Sequence, residues 1–323
     1  MSYPAEIKSA ARAALAERRR RAAEKTERSR TAVIARVPQA LSLEREIASA
    51  SAMLARTILA GGDVSEKVSR IREANLQGQK KLSALLVQNG FPADALADIH
   101  FCPICRDTGI APDGTVCACV HELERSLMLE RLASSSNHTG KDFSSFDLSL
   151  YGDAERPVMK KVLETCKRYA SDFSPSSENL LLIGAPGLGK THLSLAVGFA
   201  AAEKGFHVCY APFHRLFARI EDARFGRSEE DTAALTAEPL CCELLILDDL
   251  GSETASPFAA SVLYELVNTR LVEGKSTIIS TNLTDREITA RYQERVYSRL
   301  FGAYRKLPFV GEDIRLKKKT TAK

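Results

Sequence analysis

A glycine-rich segment at residues 184–191 has the residue types and spacing of a site for a nucleoside triphosphate. It reads GAPGLGKT, which fits the P-loop pattern of glycine, four residues, glycine, lysine and serine or threonine. An apolar run at 180–183 precedes it and a helical pattern over 191–204 follows, so the helix N-terminus adds positive potential. Lys190 would contact the β- and γ-phosphates and Thr191 would bind Mg²⁺. The predicted nucleotide-binding residues in this segment are Gly184, Ala185, Pro186, Gly187, Leu188, Gly189, Lys190 and Thr191.

Polar side chains follow two further apolar runs. Leu244–Leu247 leads directly into Asp248 and Asp249, and the run at 277–281 is followed by Asn282. Next to a P-loop, Asp248 is expected to hold the Mg²⁺ through water, and Asp249 to polarise the attacking water. Asn282 could sense the γ-phosphate and orient that water. A helix cap would explain one of the acids but hardly both, whereas Asn282 taken alone is also a common turn or helix cap.

Half of the eight cysteines lie within 18 residues. The spacing Cys102-x-x-Cys105 lets one turn present two sulfurs to one metal, and four thiolates satisfy tetrahedral Zn²⁺ in a closed structural site. We therefore predict a zinc knuckle with the ligands Cys102, Cys105, Cys117 and Cys119. The second pair is the less usual C-x-C, and His121 could replace one thiol. Two alternatives are unrelated buried thiols and a redox pair, but no thioredoxin-like strand pattern accompanies the cluster.

The arrangement of predicted helices and strands indicates an α/β core behind a helical region. From about residue 155 to 315, short apolar runs alternate with helical stretches, which predicts a parallel sheet with helices on both faces. Residues 1–95 look almost wholly helical, with a break at Gly61-Gly62 and a possible cap at Asp63. The apolar runs lie at 180–183, 207–211, 243–248, 277–281 and 307–310. The predicted regions are a helical region at 1–99, the zinc knuckle at 100–121, a linker helix and lead-in segment at 122–150, and a nucleotide-binding core with a basic tail at 151–323.

Composition excludes several classes of protein. Of the 323 residues, 45% are hydrophobic and 27% are charged, which excludes disorder of the whole chain. The sequence contains no run of 18 apolar residues, so it predicts no membrane helix. The charged N-terminus lacks the apolar core of a secretory signal. We therefore expect a cytoplasmic protein without membrane contact. Residues 1–100 carry a net charge of +6, which is compatible with nucleic acid binding but also with a solvated helix face.

In combination, these motifs resemble the AAA+ ATPases, and more narrowly the bacterial DnaC/DnaI-type helicase loaders, with the IstB-type transposition ATPases close behind. The resemblance covers about residues 140–315. The matching pieces are the P-loop at 184–191, LLILDDLGSE at 244–253, STN at 280–282 and VYSRLF at 296–301. Phe143–Asp147 looks like the stretch that precedes the core in this family and lies near the adenine. The resemblance implies an ATPase that uses ATP and Mg²⁺ and assembles into an arc or ring.

The resemblance also implies roles for several arginines. Arg299 falls where the family places an arginine finger, whose fixed charge stabilises phosphoryl transfer at a neighbour's site. An exposed arginine paired with Glu294 or Glu265 is the alternative. Arg315 matches a second sensor arginine, although only 13 residues follow Val310, which implies little or no helical lid. The segment of loaders that contacts single-stranded DNA near the pore corresponds here to the helix with Arg215 and Arg219, which could also be only an amphipathic packing helix.

The resulting expectation is an ATP-dependent DNA replication accessory protein that loads a replicative DNA helicase onto single-stranded DNA. Its N-terminal helical and zinc region would grip the helicase hexamer, because that region is too large to be a mere tail and contains amphipathic stretches such as Ala52–Leu59. One alternative is an IstB-like helper ATPase in transposition. Another is a zinc adaptor with nucleotide-gated binding and negligible turnover, against which the intact Asp249 and Asn282 argue.

Overall fold

A five-stranded parallel β-sheet organises the C-terminal two thirds of the chain. The computed structural model describes residues 3–60, 65–136 and 142–315. Within them the sheet has the strand order β2-β3-β4-β1-β5, and all pairings are parallel. The strands are β1 (Asn179–Ile183), β2 (Val208–Pro212), β3 (Leu244–Leu250), β4 (Ser276–Thr281) and β5 (Tyr304–Pro308). The predicted break at Gly61-Gly62, the cap at Asp63 and the basic tail beyond Arg315 lie outside the described residues.

The first four strands lie within two residues of the apolar runs that predicted them. The last prediction, at 307–310, overlaps β5 but begins three residues too late, since β5 begins at Tyr304 and ends at Pro308. β5 is an edge strand that pairs only with β1 among the described strands, and Arg305 and Lys306 in its middle are exposed. An edge strand that is half exposed does not need a continuous apolar run, so hydrophobicity alone places it badly.

Helices cover both faces of the sheet, as the predicted α/β class requires. Those associated with the sheet are α4 (Ala118–Ser136), α5 (Arg156–Ser171), α6 (Lys190–Glu203), α7 (Phe213–Arg224), α8 (Thr232–Cys241), α9 (Pro257–Val272) and α10 (Asp285–Ala303). Alternate strand residues enter opposite cores: Leu180 and Leu182 face the core under α5 and α6, whereas Leu181 faces the core under α7, α9 and α10. This two-sided burial explains why the strands read as continuous apolar runs.

The chain divides into two compact units, one formed by residues 1–11 with 121–323 and the other by residues 12–120. The second unit contains most of α1 (Ala5–Arg36) and the cysteine segment. It also contains the helical pair α2 (Gln39–Ala60) and α3 (Ser65–Gln88). A small core of Val33, Val37, Ala40 and Leu86 holds its helices together. In the part of the chain that the structure describes, no helix is long and apolar enough to cross a membrane.

Candidate nucleotide and metal sites

The loop between β1 and α6 has a backbone shape that its glycines permit. Gly189 has a φ of 85°, and a Cβ there would lie 2.7 Å from the ring of Phe146. Gly187 has a φ of 76°, and a Cβ there would lie 1.9 Å from a carboxylate oxygen of Asp313. Both the left-handed conformation and the close neighbours exclude a larger side chain. The loop is therefore shaped to direct its backbone N–H groups toward an anion at the start of α6.

Lys190 is the first residue of α6 and is largely buried. Its ammonium nitrogen donates to the backbone oxygens of Gly184 at 2.6 Å and Ala185 at 2.8 Å, and to the amide oxygen of Asn282 at 2.6 Å. Burial lowers the pKa of Lys190 to about 8, although Asp249 and Asp248 act in the opposite direction. The site thus holds a partly desolvated cation, which a triphosphate would stabilise in its charged form.

The carboxylate of Asp248 is buried among hydroxyl groups at the end of β3. Thr191 Oγ1 donates to both of its oxygens at 3.1 and 2.9 Å, and Ser280 Oγ donates to Oδ1 at 2.5 Å. Tyr210 Oη donates to Oδ2 at 2.9 Å. Thr191 and Asp248 thus lie together as the oxygen donors that Mg²⁺ prefers, and the residues present fit this ion beside a triphosphate.

Asp249 and Asn282 are in direct contact. Asn282 Nδ2 donates to Asp249 Oδ1 at 3.1 Å, and the backbone N–H of Asp249 donates to Ser280 Oγ at 2.9 Å. Asp249 has a φ of 56°, an uncommon value for a residue other than glycine, and the register of β3 against β4 shifts between Leu247 and Leu250. Asp249 therefore turns away from Asp248, so the two neighbouring carboxylates serve different places in the cleft.

These side chains line a cleft of about 590 Å³ at the carboxyl edge of the sheet. This volume is within the range of small-molecule sites, about 300–1,000 Å³. The cleft contains Pro186 to Thr191 of the predicted loop, together with Asp248, Asp249 and Asn282. Its other lining residues are Ser135, Ser136, His192, Tyr210, Pro212, His214, Arg215, Ser280, Ile314 and Arg315.

Arg315 reaches this cleft because residues 309–315 run back across the loop. The backbone N–H of Phe309 donates to Ile183 O at 2.7 Å, and that of Ile314 donates to Gly187 O at 3.2 Å. Arg315 N donates to Asp313 Oδ1 at 2.9 Å. This short return segment, rather than a helical lid, places the arginine at the cleft in the described part of the chain.

Arg299 lies elsewhere, exposed on α10 and outside the set of residues that line the cleft. Among the described residues its guanidinium forms no hydrogen bond or ion pair, so the pairing with Glu294 or Glu265 that the sequence leaves open is not observed. Arg295, one turn earlier, packs over the Tyr264 ring at 4.9 Å. Arg299 is thus available to a second molecule, while its role as a finger stays a prediction.

The two arginines of α7 have different surroundings. Arg215 is exposed and lines the cleft, whereas Arg219 forms an ion pair with Glu230 on the surface. The apolar residues of this helix, Phe213, Leu216, Phe217 and Ile220, are buried, as an amphipathic packing helix requires. The packing interpretation therefore accounts for the apolar face, and DNA contact by Arg215 and Arg219 stays a prediction.

The segment that contains Phe146 packs directly on the phosphate loop. Its ring stacks on Tyr151 with centroids 5.8 Å apart and meets the ring of His192 edge-on at 5.4 Å. Tyr151 Oη donates to Leu188 O at 2.8 Å. This segment therefore supports the loop, and its predicted position near the adenine stays a prediction.

The four predicted zinc ligands converge within the unit formed by residues 12–120. The sulfurs of Cys102 and Cys117 are 3.8 Å apart, those of Cys105 and Cys119 are 3.5 Å apart, and all four lie within 4.8 Å of one another. A tetrahedral ion with Zn–S bonds of about 2.3 Å requires sulfurs about 3.8 Å apart. The donor set and its spacing therefore fit a closed zinc site.

Backbone contacts around the cluster support this fit. The Asp107 carboxylate accepts from the backbone N–H groups of Phe101 at 2.8 Å and Cys102 at 2.9 Å, and Gly109 N donates to Cys105 Sγ at 3.4 Å. The Gly109 N–H is a donor of the kind that stabilises a thiolate ligand, whereas the Asp107 contacts hold the backbone beside Cys102 in place. His121 is not part of the cluster: its Nδ1 lies 3.2 Å from Glu124 Oε2 on α4. The set of four cysteines is thus complete without it.

Sequence reasoning missed Tyr210, Ser280 and Glu253. Tyr210 and Ser280 contact Asp248 directly, and burial together with Asp248 raises the pKa of Tyr210 well above its usual value. Ser280 was noted only as part of STN, although its place near the end of β4 was a usable signal. Tyr210 carries no such signal, because only the pairing of β2 with β3 brings it beside Asp248.

Comparison with known proteins identifies the family of this chain. The family model described as IstB-like ATP binding protein matches residues 121–322, which include the whole sheet and the cleft. Residues 1–120, with the helical pair and the four-cysteine cluster, lie outside this match. The resemblance noted from the motifs is thereby confirmed for the core.

Individual relatives include proteins from two biological settings. An insertion sequence IS21 putative ATP-binding protein of Pseudomonas aeruginosa is 30% identical over 188 residues, which cover 56% of this chain and 67% of the relative. The replicative helicase loader DnaC of Buchnera aphidicola subsp. Acyrthosiphon pisum is 27% identical over 146 residues, covering 45% of this chain and 59% of the relative. The chain thus spans 67% and 59% of the lengths of these two curated relatives.

Solved structures of similar proteins were also found. A crystal structure of the DnaC helicase loader has 24% sequence identity and a TM-score of 0.46, and covers 56% of this chain and 99% of that chain. A crystal structure of DnaI has 21% identity and a TM-score of 0.45, and covers 52% and 90%. The family match over residues 121–322 and the cleft geometry lead to one conclusion: this chain belongs to the IstB-like ATP-binding protein family, with a P-loop nucleotide site at the carboxyl edge of its sheet.

Proposed function

We propose that this protein hydrolyses ATP to load a replicative DNA helicase onto single-stranded DNA. The observation that carries the proposal is the separate unit at residues 12–120, which joins a helical pair and a four-cysteine site to an ATPase core. A transposition or replication ATPase needs a surface for its protein partner, and this unit supplies one outside the nucleotide site. The net positive charge of residues 1–100 of the chain would attract the DNA phosphates.

In the proposed reaction, the residues of the cleft bind the triphosphate and direct a water to its γ-phosphate. Lys190 neutralises the β- and γ-phosphates. Thr191 and Asp248 would hold Mg²⁺, which would supply charge neutralisation at the phosphate oxygens. Asp249 accepts a hydrogen bond from the attacking water and polarises it. Asn282 contacts both Lys190 and Asp249, so it can align the water with the phosphate group. Arg315 adds a positive charge from the return segment.

We propose that Arg299 completes a neighbour's site. The exposed position of this arginine outside its own cleft supports action between molecules, as in AAA+ arcs and rings. An arginine that approaches the phosphates from a second molecule makes turnover depend on assembly, because its charge stabilises the transition state. Arg215 at the cleft and Arg219 nearby on α7 would contact the phosphates of single-stranded DNA.

The α2 surface is the proposed helicase contact. Met53, Ile58 and Leu59 are exposed there, Leu59 with 86% of its surface accessible. Exposed large apolar groups close together on one helix are typical of a protein-binding surface. The helicase would bury them, and their loss should weaken the complex without a change in nucleotide binding.

The full-length protein tests this proposal directly. Purified protein should bind the replicative helicase of the same organism. It should also promote loading of that helicase onto closed DNA circles coated with single-stranded-DNA-binding protein, measured as unwinding of a strand annealed to the circle. Leu59→Glu and Ile58→Glu should reduce helicase binding at least about ten-fold. Val272→Glu, an equally drastic change at the exposed end of α9, is the matched control and should retain binding. Failure of the wild-type protein to bind or load the helicase would refute the proposal.

A transposition helper is the second candidate, and the IS21 relative favours it. That relative matches this chain over a longer stretch and at higher identity than the DnaC relative. In this case the chain would bind a transposase and not the helicase. Parallel binding assays with the helicase and with an IS21-type transposase distinguish the two functions.

A further inference from the structure

Glu253 is a buried carboxylate that the proposed reaction does not use. It lies five residues after Asp248, at the end of the turn that follows β3, and its side chain is only 1% exposed. Its Oε2 accepts from the backbone N–H of Gly251 at 3.0 Å. Its Oε1 accepts from Arg291 Nε at 3.1 Å and from the hydroxyl of Tyr292. A buried charge with this many partners is costly to remove, because each partner would lose its acceptor.

The partners of Glu253 connect two places of unusual backbone conformation. Within the described part of residues 121–315, the residues other than glycine that have positive φ are Asp249, at 56°, and Gln293, at 66°. Asp249 opens the turn that Glu253 closes, and Ser252 bonds to Asp249 O through its hydroxyl at 2.7 Å. Gln293 directly follows the Arg291-Tyr292 pair. Such conformations are unfavourable for residues other than glycine and persist only where neighbouring contacts hold them.

Gln293 divides α10 into two helical segments. The first segment begins with a capping box between Thr284 and Glu287, and the second carries Arg299 six residues after Gln293. Because a helical segment moves as a unit, a change in the backbone at Gln293 would displace Arg299 on the surface. The turn around Asp249 and the segment with Arg299 are therefore linked through one buried side chain.

We infer that Glu253 is a positioning residue that joins the hydrolytic carboxylate of one subunit to the arginine that this subunit presents to its neighbour. This inference rests on the proposed roles of Asp249 and Arg299. Through the turn after β3, Glu253 holds Asp249 in the backbone conformation that directs its carboxylate at the attacking water. Through its own contacts it also holds Arg291 and Tyr292, which directly precede the kink at Gln293. A change in the turn at one nucleotide site is thereby transmitted to the next site in an arc or ring.

The substitution Glu253→Gln tests this inference in the full-length protein. It keeps the size of the side chain but removes the charge opposite Arg291. We expect ATP affinity within about two-fold of the wild type and a kcat lower by about ten-fold or more, because only the transition-state geometry is lost. The matched control is Glu287→Gln, which removes the capping carboxylate of the same helix and should leave kcat within about two-fold. Thermal unfolding of both variants shows whether their stabilities are comparable.

A double variant tests the link to Arg299. If Glu253 acts through the segment that carries Arg299, then Glu253→Gln combined with Arg299→Ala should lose much less activity than the product of the single losses. Losses that multiply fully would overturn the link, and a wild-type kcat in Glu253→Gln would overturn the positioning role. Should Glu253→Gln fail to fold, Tyr292→Phe replaces it, with an expected fall in kcat at unchanged ATP affinity; an unchanged kcat refutes the inference.

The failure of the proposed function has a different signature. A wild-type protein that binds ATP but does not hydrolyse it in any assembled state would reject the roles of Asp249 and Arg299, and this inference with them. Normal hydrolysis by wild type together with normal hydrolysis by Glu253→Gln would reject only the positioning role.

Discussion

The ammonium of Lys190 lies 2.6 Å from the amide oxygen of Asn282, which joins the start of α6 to the end of β4. The other end of that amide donates to Asp249. Asn282 therefore connects the cation proposed to bind the phosphates with the carboxylate proposed to polarise water. This contact is the basis for separating nucleotide binding from hydrolysis by mutation.

The first prediction separates these two steps by residue. Lys190→Ala should abolish detectable ATP binding, because the phosphates lose their buried cation, whereas Asp249→Asn should bind ATP normally and lose about 10²-fold or more in turnover. Nucleotide titration and steady-state hydrolysis measure the two effects. Lys204→Ala, at the other end of α6, is the matched control for the lysine. Equal turnover in wild type and Asp249→Asn would favour an adaptor in which hydrolysis is unimportant.

The second prediction is a pH dependence of ATP binding. Burial lowers the pKa of Lys190 to about 8, and bound phosphates would raise it again, so the charged form that binds is lost as pH rises through 8. Affinity should be nearly constant below pH 7 to 7.5 and weaken about ten-fold between pH 7 and pH 9. Calorimetry in buffers of different ionisation enthalpy should show proton uptake near pH 8.5.

The control for this pH dependence is Lys190→Arg, whose guanidinium stays charged throughout this range. Whatever its affinity at pH 7, the variant should show no further weakening up to pH 9. A wild-type affinity that stays constant from pH 7 to pH 9.5 would contradict a lowered pKa at Lys190.

The third prediction concerns Arg299 and assembly. Arg299→Ala should bind ATP and lose most of its hydrolysis, and mixing it with Lys190→Ala protein should restore activity, because one interface then combines an intact loop with an intact arginine. Arg295→Ala, one turn earlier on the same helix, serves as the control and should stay active. If no mixing ratio restores activity although the two proteins co-assemble, Arg299 is a surface residue without this role.

The fourth prediction concerns the metal. Protein purified without chelator should carry about one zinc ion per chain, and Cys102→Ser should release it because a closed site needs all four thiolates. Loss of zinc should destabilise the unit of residues 12–120 and leave ATP binding unchanged. Cys241→Ser, which changes an exposed thiol outside the cluster, should retain the zinc. Metal analysis that finds no zinc in the wild type would reject the site.

The fifth prediction tests a residue that only the structure revealed. Tyr210→Phe removes the hydroxyl that donates to Asp248 Oδ2, while Thr191 and Ser280 remain. The Mg²⁺ concentration for half-maximal hydrolysis should rise by about three- to ten-fold, because a contact that orients the carboxylate proposed to hold Mg²⁺ is lost. Tyr264→Phe is the control. An unchanged Mg²⁺ dependence would show that Tyr210 does not support the metal site.

Features that depend on residues close together in the chain could be predicted from the sequence. Residues 184–191 predict the loop because its three glycines, Lys190 and Thr191 lie within eight consecutive residues. Asp248 and Asn282 were predictable because parallel strands end at the same edge of a sheet, so residues that follow different buried strands must meet there. The four cysteines were predictable because two close pairs can reach one metal.

The remaining features depend on contacts between segments that are far apart in the chain. Tyr210 meets Asp248 only because β2 pairs with β3, and strand order depends on packing between distant segments. Arg315 reaches the cleft through a return segment whose backbone bonds to Ile183 and Gly187, a path that hydrophobic periodicity does not encode. Glu253 and Gln293 lie 40 residues apart, and their relationship exists only where α10 packs beside the turn after β3. Local patterns identify groups with chemistry, but the long-range burial of charged and polar side chains determines which of them touch.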